Sequence, residues 1–108
     1  MQEKTVFISF DLGLRGDYTG LYSWLDQHEA KECGNGLAAV KFAFEGDILS
    51  TLEQDLQNAV RFEKTDRLYI IWKDDQTGKF RGKFLLGNRK AAPWEGYAKK
   101  ITAEDIVE

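Results

Sequence analysis

Cysteine, histidine, proline and methionine each occur once in this chain of 108 residues. The single Cys33 excludes a disulfide within the chain. Cys33 and the lone His28 together cannot make a Cys/His zinc site or a Cys-x-x-Cys redox pair. With Pro93 the only proline, no stretch reads as a proline-rich linker, and no repeat or low-complexity segment interrupts the chain. No apolar run approaches the roughly 18 residues of a membrane span. The opening Met1-Gln2-Glu3-Lys4 lacks the basic and apolar regions of a secretion signal, so a cytoplasmic protein without a membrane partner is expected. The glycines form neither a dinucleotide fingerprint nor a phosphate loop, and Ser9, Ser23 and Ser50 lack a nucleophile-elbow context. Dehydrogenase, kinase and serine-hydrolase readings therefore have no support.

What is present suits one globular domain spanning residues 1–108. At 43% apolar and 31% charged, the chain is long enough to bury a core without disulfides or a structural metal. The net charge of −3 argues mildly against nucleic acid, but the charge is unevenly spread. The first 45 residues carry four positive side chains against seven negative. From Lys79 to Lys100 the balance reverses: Lys79, Arg81, Lys83, Arg89, Lys90, Lys99 and Lys100 stand against Glu95 alone. One end of the molecule can thus face an anion while the other stays acidic.

Periodicity predicts the elements. Lys4 to Phe10 alternates as a strand, with Val6, Ile8 and Phe10 on one face and Phe7, Ser9 and then Asp11 on the other. A helix is expected from Asp17, a good N-cap, with Tyr18, Leu21, Tyr22 and Leu25 on its apolar stripe and Trp24 off it. Asn35-Gly36 between extended runs signals a hairpin, because both residue types tolerate positive φ. A second helix from about Asp47 to Arg61 has a clear apolar face of Ile48, Leu49, Leu52, Leu56, Ala59 and Val60. Arg67 to Lys73 reads as a central strand, and Lys79 to Leu86 as a further strand paired to it across the turn at residues 74–78. The order βαββαβ plus an appended strand predicts an α+β, ferredoxin-like sandwich with helices on one sheet face and the other face open. Phe7, Tyr69 and Ile71 would lie on that open face, where a homodimer would cover them.

Two groups carry candidate chemistry. Asp11, at a strand end, has a fixed backbone and open access, the placement a metal-binding carboxylate needs. It can equally accept N–H bonds from the turn at residues 12–14. Arg15 in the same loop could neutralise a phosphate, while Asp17 reads as a helix cap. In the basic segment, Lys79, Arg81 and Lys83 project to one side at period two, with Arg89 and Lys90 extending the ladder along a phosphate backbone. Trp94 and Tyr97 could stack bases. The same cations would also keep an edge strand from aggregating, with the two aromatics covering the core edge or a dimer seam. His28 at a helix end and Cys33 before the hairpin turn read as structural.

Ile8-Ser9-Phe10-Asp11-Leu12, then Asp17-Tyr18 with Leu21-Tyr22, then Thr65-Asp66-Arg67-Leu68-Tyr69-Ile70 and Trp94-Glu95-Gly96-Tyr97, resemble small proteins related to the CRISPR-associated adaptation endoribonuclease and to virulence-associated protein D. The resemblance implies a ferredoxin-like homodimer whose last strand can join its partner's sheet. It also implies cleavage of RNA or DNA with a divalent metal, Mg2+ or Mn2+, on the first-strand aspartate, here Asp11. No second acid can be assigned beside Asp11, although a twofold dimer could bring two copies together. The leading expectation is therefore a nucleic-acid-binding protein of the nuclease or toxin-like type, with Arg15, Lys79, Arg81, Lys83, Arg89 and Lys90 on the phosphates. The competing one is a non-enzymatic, dimeric protein-interaction module, and a third is an RNA-recognition-like sheet stacking bases on Phe7 and Tyr69.

Overall fold

Alternating apolar residues give the strands two unlike faces, and the helices cover one of them. The structure, a computed structural model, describes residues 1–98. Lys99 and Lys100 of the basic segment lie outside the described residues, as does the tail from 101 to 108, to which Ile101, Ile106 and Val107 give apolar character in the sequence. The element order is β1 (Gln2–Asp11), α1 (Tyr18–Gln27), β2 (Lys31–Gly34), β3 (Leu37–Phe44), α2 (Ile48–Ala59), β4 (Arg67–Lys73) and β5 (Phe80–Leu86). All strand pairings are antiparallel in one sheet of order β2-β3-β1-β4-β5. The first four strands thus have the order of a ferredoxin-like α+β sandwich, and β5 extends it beyond β4, as the periodicity predicted.

Val6, Ile8, Val40, Leu68 and Ile70 point to the helices and meet Leu21, Leu52 and Leu56, all at or near zero exposure. Truncating such a side chain typically costs about 2–5 kcal/mol through lost burial and the cavity left behind. Phe7, Ser9 and Asp11 fall on the opposite face, as do Arg67, Tyr69 and Ile71, to which β1 pairs them in antiparallel register.

Both helices start on an aspartate. Asp17 Oδ1 accepts from the Gly20 N–H at 2.9 Å, and its Oδ2 accepts from the Arg61 N–H at 2.9 Å, tying the start of α1 to the end of α2. These bonds, Arg61 first, hold the Asp17 carboxyl below the ordinary value of 3.8. Asp47 caps α2 through the Ser50 hydroxyl and N–H, which lower its pKa likewise.

Two local expectations are corrected. In α1 the buried stripe is Leu21, Trp24 and Leu25, with Trp24 only 2% exposed, while Tyr18 and Tyr22 stay on the surface. Leu21-Trp24-Leu25-His28 is also helically spaced, and Asp55 of α2 supplies what a buried indole needs: Trp24 Nε1 donates to Asp55 Oδ2 at 2.7 Å. His28 stacks on Trp24 with ring centroids 4.0 Å apart, a structural place as expected. In the β2–β3 turn, Gly34 and Gly36 take the positive φ values, 143° and 72°, and Asn35 does not.

Candidate nucleic-acid interface

Asp11 is the last residue of β1 and stands across from Arg67, the first residue of β4, on the open sheet face. Arg67 Nη2 donates to Asp11 Oδ2 at 3.0 Å, and its Nη1 donates to the Asn88 carbonyl at 3.4 Å. The expected turn-capping role of Asp11 belongs instead to Asp66, which is 1% exposed. Asp66 Oδ1 accepts from the Gly13 N–H and Oδ2 from the Glu63 N–H, each at 2.7 Å. One buried carboxylate therefore fastens the loop after Asp11 to the loop before Arg67, fixing both ends of the Asp11–Arg67 pair.

Beside that pair lies a groove of about 450 Å³, lined by Ser9, Asp11, Arg67, Tyr69, Phe84, Arg89, Lys90 and residues 91–94. Tyr69 and Phe84 are cross-strand partners whose rings meet edge-on at 4.7 Å. The Arg89 guanidinium sits 5.6 Å from the Tyr69 ring centre and 5.7 Å from that of Phe84, a cation–π arrangement. The Tyr69 ring lies over Gly82, where an added Cβ would stand 2.6 Å from Tyr69 Cζ. Trp94 closes the groove at its rim, 73% exposed.

The six cations singled out in the sequence do not form one surface. Arg89 and Lys90 share the groove with Asp11. Arg81 and Lys83 pair with Trp72 and Ile70, which places them on the helix-covered side of the sheet, opposite Asp11. Arg81 Nε donates to Asp74 Oδ2 at 2.7 Å, and this bond is the main cause of the lowered Asp74 pKa. Lys79 lies in the β4–β5 turn, and Arg15 is exposed in the β1–α1 loop. Arg67 was not among the sequence candidates, because finding it opposite Asp11 requires the strand register. Asp66 likewise showed only as an aspartate before a strand.

A divalent cation on Asp11 does not fit one chain. Its Oδ2 is engaged by a guanidinium, and among the described residues no three His, Cys, Asp or Glu side chains gather into a metal-holding group. Among the described residues, no helix is long and apolar enough to cross a membrane.

Fold and groove define an α+β sandwich that presents cations and aromatic rings on its uncovered face. No model of a known protein family, no curated protein and no solved structure matches the chain.

Proposed function

We propose that this protein is a cytoplasmic nucleic-acid-binding protein that holds phosphates on Arg67, Arg89 and Lys90 and sets bases against Tyr69 and Trp94. The observation carrying this reading is the convergence of those three cations with exposed aromatic surface in one groove. Cations give affinity through counterion release, and aromatic faces stack any base. The test is binding of labelled single- and double-stranded RNA and DNA across a salt series. Arg89→Ala and Lys90→Ala are each expected to weaken binding and to reduce the salt slope by about one. Arg81→Ala and Lys83→Ala, on the far side of the sheet, should change it little. Absence of binding, or binding indifferent to salt, overturns the reading.

The finer form of this proposal follows the resemblance to the CRISPR-adaptation and virulence-associated nucleases: a homodimer that cleaves with Mg2+ or Mn2+. It requires a second Asp11 from a twofold copy and release of Arg67 from its ion pair. Cleavage that depends on the metal and disappears in Asp11→Ala supports it; binding without cleavage confines the protein to a scaffold role.

A second reading, a dimeric protein-interaction module, is favoured by the half-exposed Phe7, Ala39 and Ile71 at the centre of the open face. Nucleic acid would then not bind, and Phe7→Lys with Ile71→Lys would dissociate the dimer.

A further inference from the structure

The end of β1 separates two grooves of opposite character. On the side away from Arg67, a larger groove of about 840 Å³ opens between α1 and the β2–β3 hairpin. One wall is aromatic: Tyr18 and Tyr22 have ring centroids 5.4 Å apart, and Phe10 meets Tyr22 edge-on at 6.3 Å. Tyr22 is 54% exposed, although it is a large aromatic residue one turn from a buried core. Asp11, Asp26 and Glu32 also line the groove, against the single cation Lys31. The described ion pairs engage Asp11 but neither Asp26 nor Glu32.

These features specify a ligand class. Aromatic faces and carboxylates both favour a positive charge, and the volume lies in the range of small-molecule sites. A metal ion is the wrong occupant, because the carboxylates line the groove without converging into a metal-holding group among the described residues. The matching ligand carries its charges apart along a chain, with methylenes between them to lie on the tyrosine rings. We infer that this groove binds a linear aliphatic polyamine, with ammonium groups on Asp26 and Glu32 and the aliphatic chain across Tyr18 and Tyr22. The two grooves share Ser9 and Asp11 at the end of β1, but Tyr18, Tyr22, Asp26 and Glu32 line this one alone.

The test is calorimetric titration of the full chain with spermidine at fixed ionic strength, compared with methylammonium and with Mg2+ as competitor. Saturable one-site binding is expected, with methylammonium far weaker and Mg2+ at matched charge unable to displace spermidine. Asp26→Asn with Glu32→Gln should weaken spermidine about tenfold. Tyr22→Leu should weaken it about fivefold, while Tyr22→Phe retains the affinity. All these positions are exposed, and circular dichroism confirms that each variant is folded. No saturable binding, displacement by Mg2+ at matched charge, or an unchanged affinity in Tyr22→Leu overturns the inference.

Discussion

Asp66→Ala is the sharpest perturbation the structure offers, because this buried side chain makes one long-range tie, to Gly13, and one local tie, to Glu63. Its oxygens accept from the N–H groups of Gly13 and Glu63 at 2.7 Å each. Hydrogen bonds to a charged acceptor contribute about 1.5–3 kcal/mol apiece. Glu63 is exposed and Gly13 partly so, and water can recover some of that loss, which favours the lower end. The expected destabilisation is therefore about 3 kcal/mol, a large fraction of the 5–15 kcal/mol typical of a domain. Asp66→Asn keeps one acceptor but turns an NH2 group toward the other N–H, so about half of that loss is expected. Urea unfolding measures both through the midpoint at constant slope, and thermal unfolding should fall by roughly 12–20 °C in the alanine variant. A loss under about 1 kcal/mol for alanine, or an asparagine variant as unstable as the alanine one, refutes the reasoning. Arg67 follows Asp66 directly, so the variants should also weaken nucleic-acid binding before global unfolding sets in.

Gly82→Ala would normally gain about 0.5–1 kcal/mol in a strand, but here the methyl group collides with the Tyr69 ring, so a net loss is expected. In a Tyr69→Val background the same change should become stabilising, and a double-mutant cycle that lacks this reversal contradicts the close approach. Acid stability follows from Asp17, Asp47 and Asp74, whose folded pKa values all lie below the ordinary 3.8. Groups depressed on folding contribute fully above the unfolded value and lose that contribution as pH falls through the folded one, so Tm should stay level from about pH 7 to 5 and drop below about pH 4. Asp17→Asn should shallow that drop, and a decline beginning near neutrality would assign acid sensitivity to other groups.

Much of the fold was legible because the signals are local. Period-two alternation in β1, the continuous apolar run of β4, the Asp17 and Asp47 caps and the apolar face of α2 each act within a few residues. The α1 stripe was misread for a reason that is not local: Tyr22 and Trp24 are both large aromatics at helical spacing, and the choice depends on Asp55, 31 residues away, accepting the indole N–H. The candidate site was less legible still. Asp11 and Arg67 are 56 residues apart in sequence and meet only through the β1–β4 register. Asp66 reaches across 53 residues to Gly13.

The basic ladder of β5 shows how one residue decides what a face can do. Lys79, Arg81 and Lys83 alternate as read, but alternation leaves the choice of face to the register. Near the hairpin turn the pairing runs Lys73 with Phe80, Trp72 with Arg81 and Ile70 with Lys83, held by the Asp74 N–H bond to the Lys79 carbonyl at 2.8 Å. Between Tyr69–Phe84 and Leu68–Leu86 the register shifts by one residue. Carried back along β5, the unshifted pairing of Leu68 with Leu86 would set Lys83 against Ile71 and Arg81 against Lys73, turning both cations onto the open face that carries Asp11. The shift sends them to the helix side and leaves Phe84 and Gly82 facing Tyr69. It also lets Leu86 pack against the core while the chain leaves β5 so that the Asn88 carbonyl meets Arg67. The open face thus exchanges a row of evenly spaced charges for an aromatic floor with Arg67, Arg89 and Lys90 at its edge. Such a surface is better suited to stacking bases than to following a backbone by charge alone.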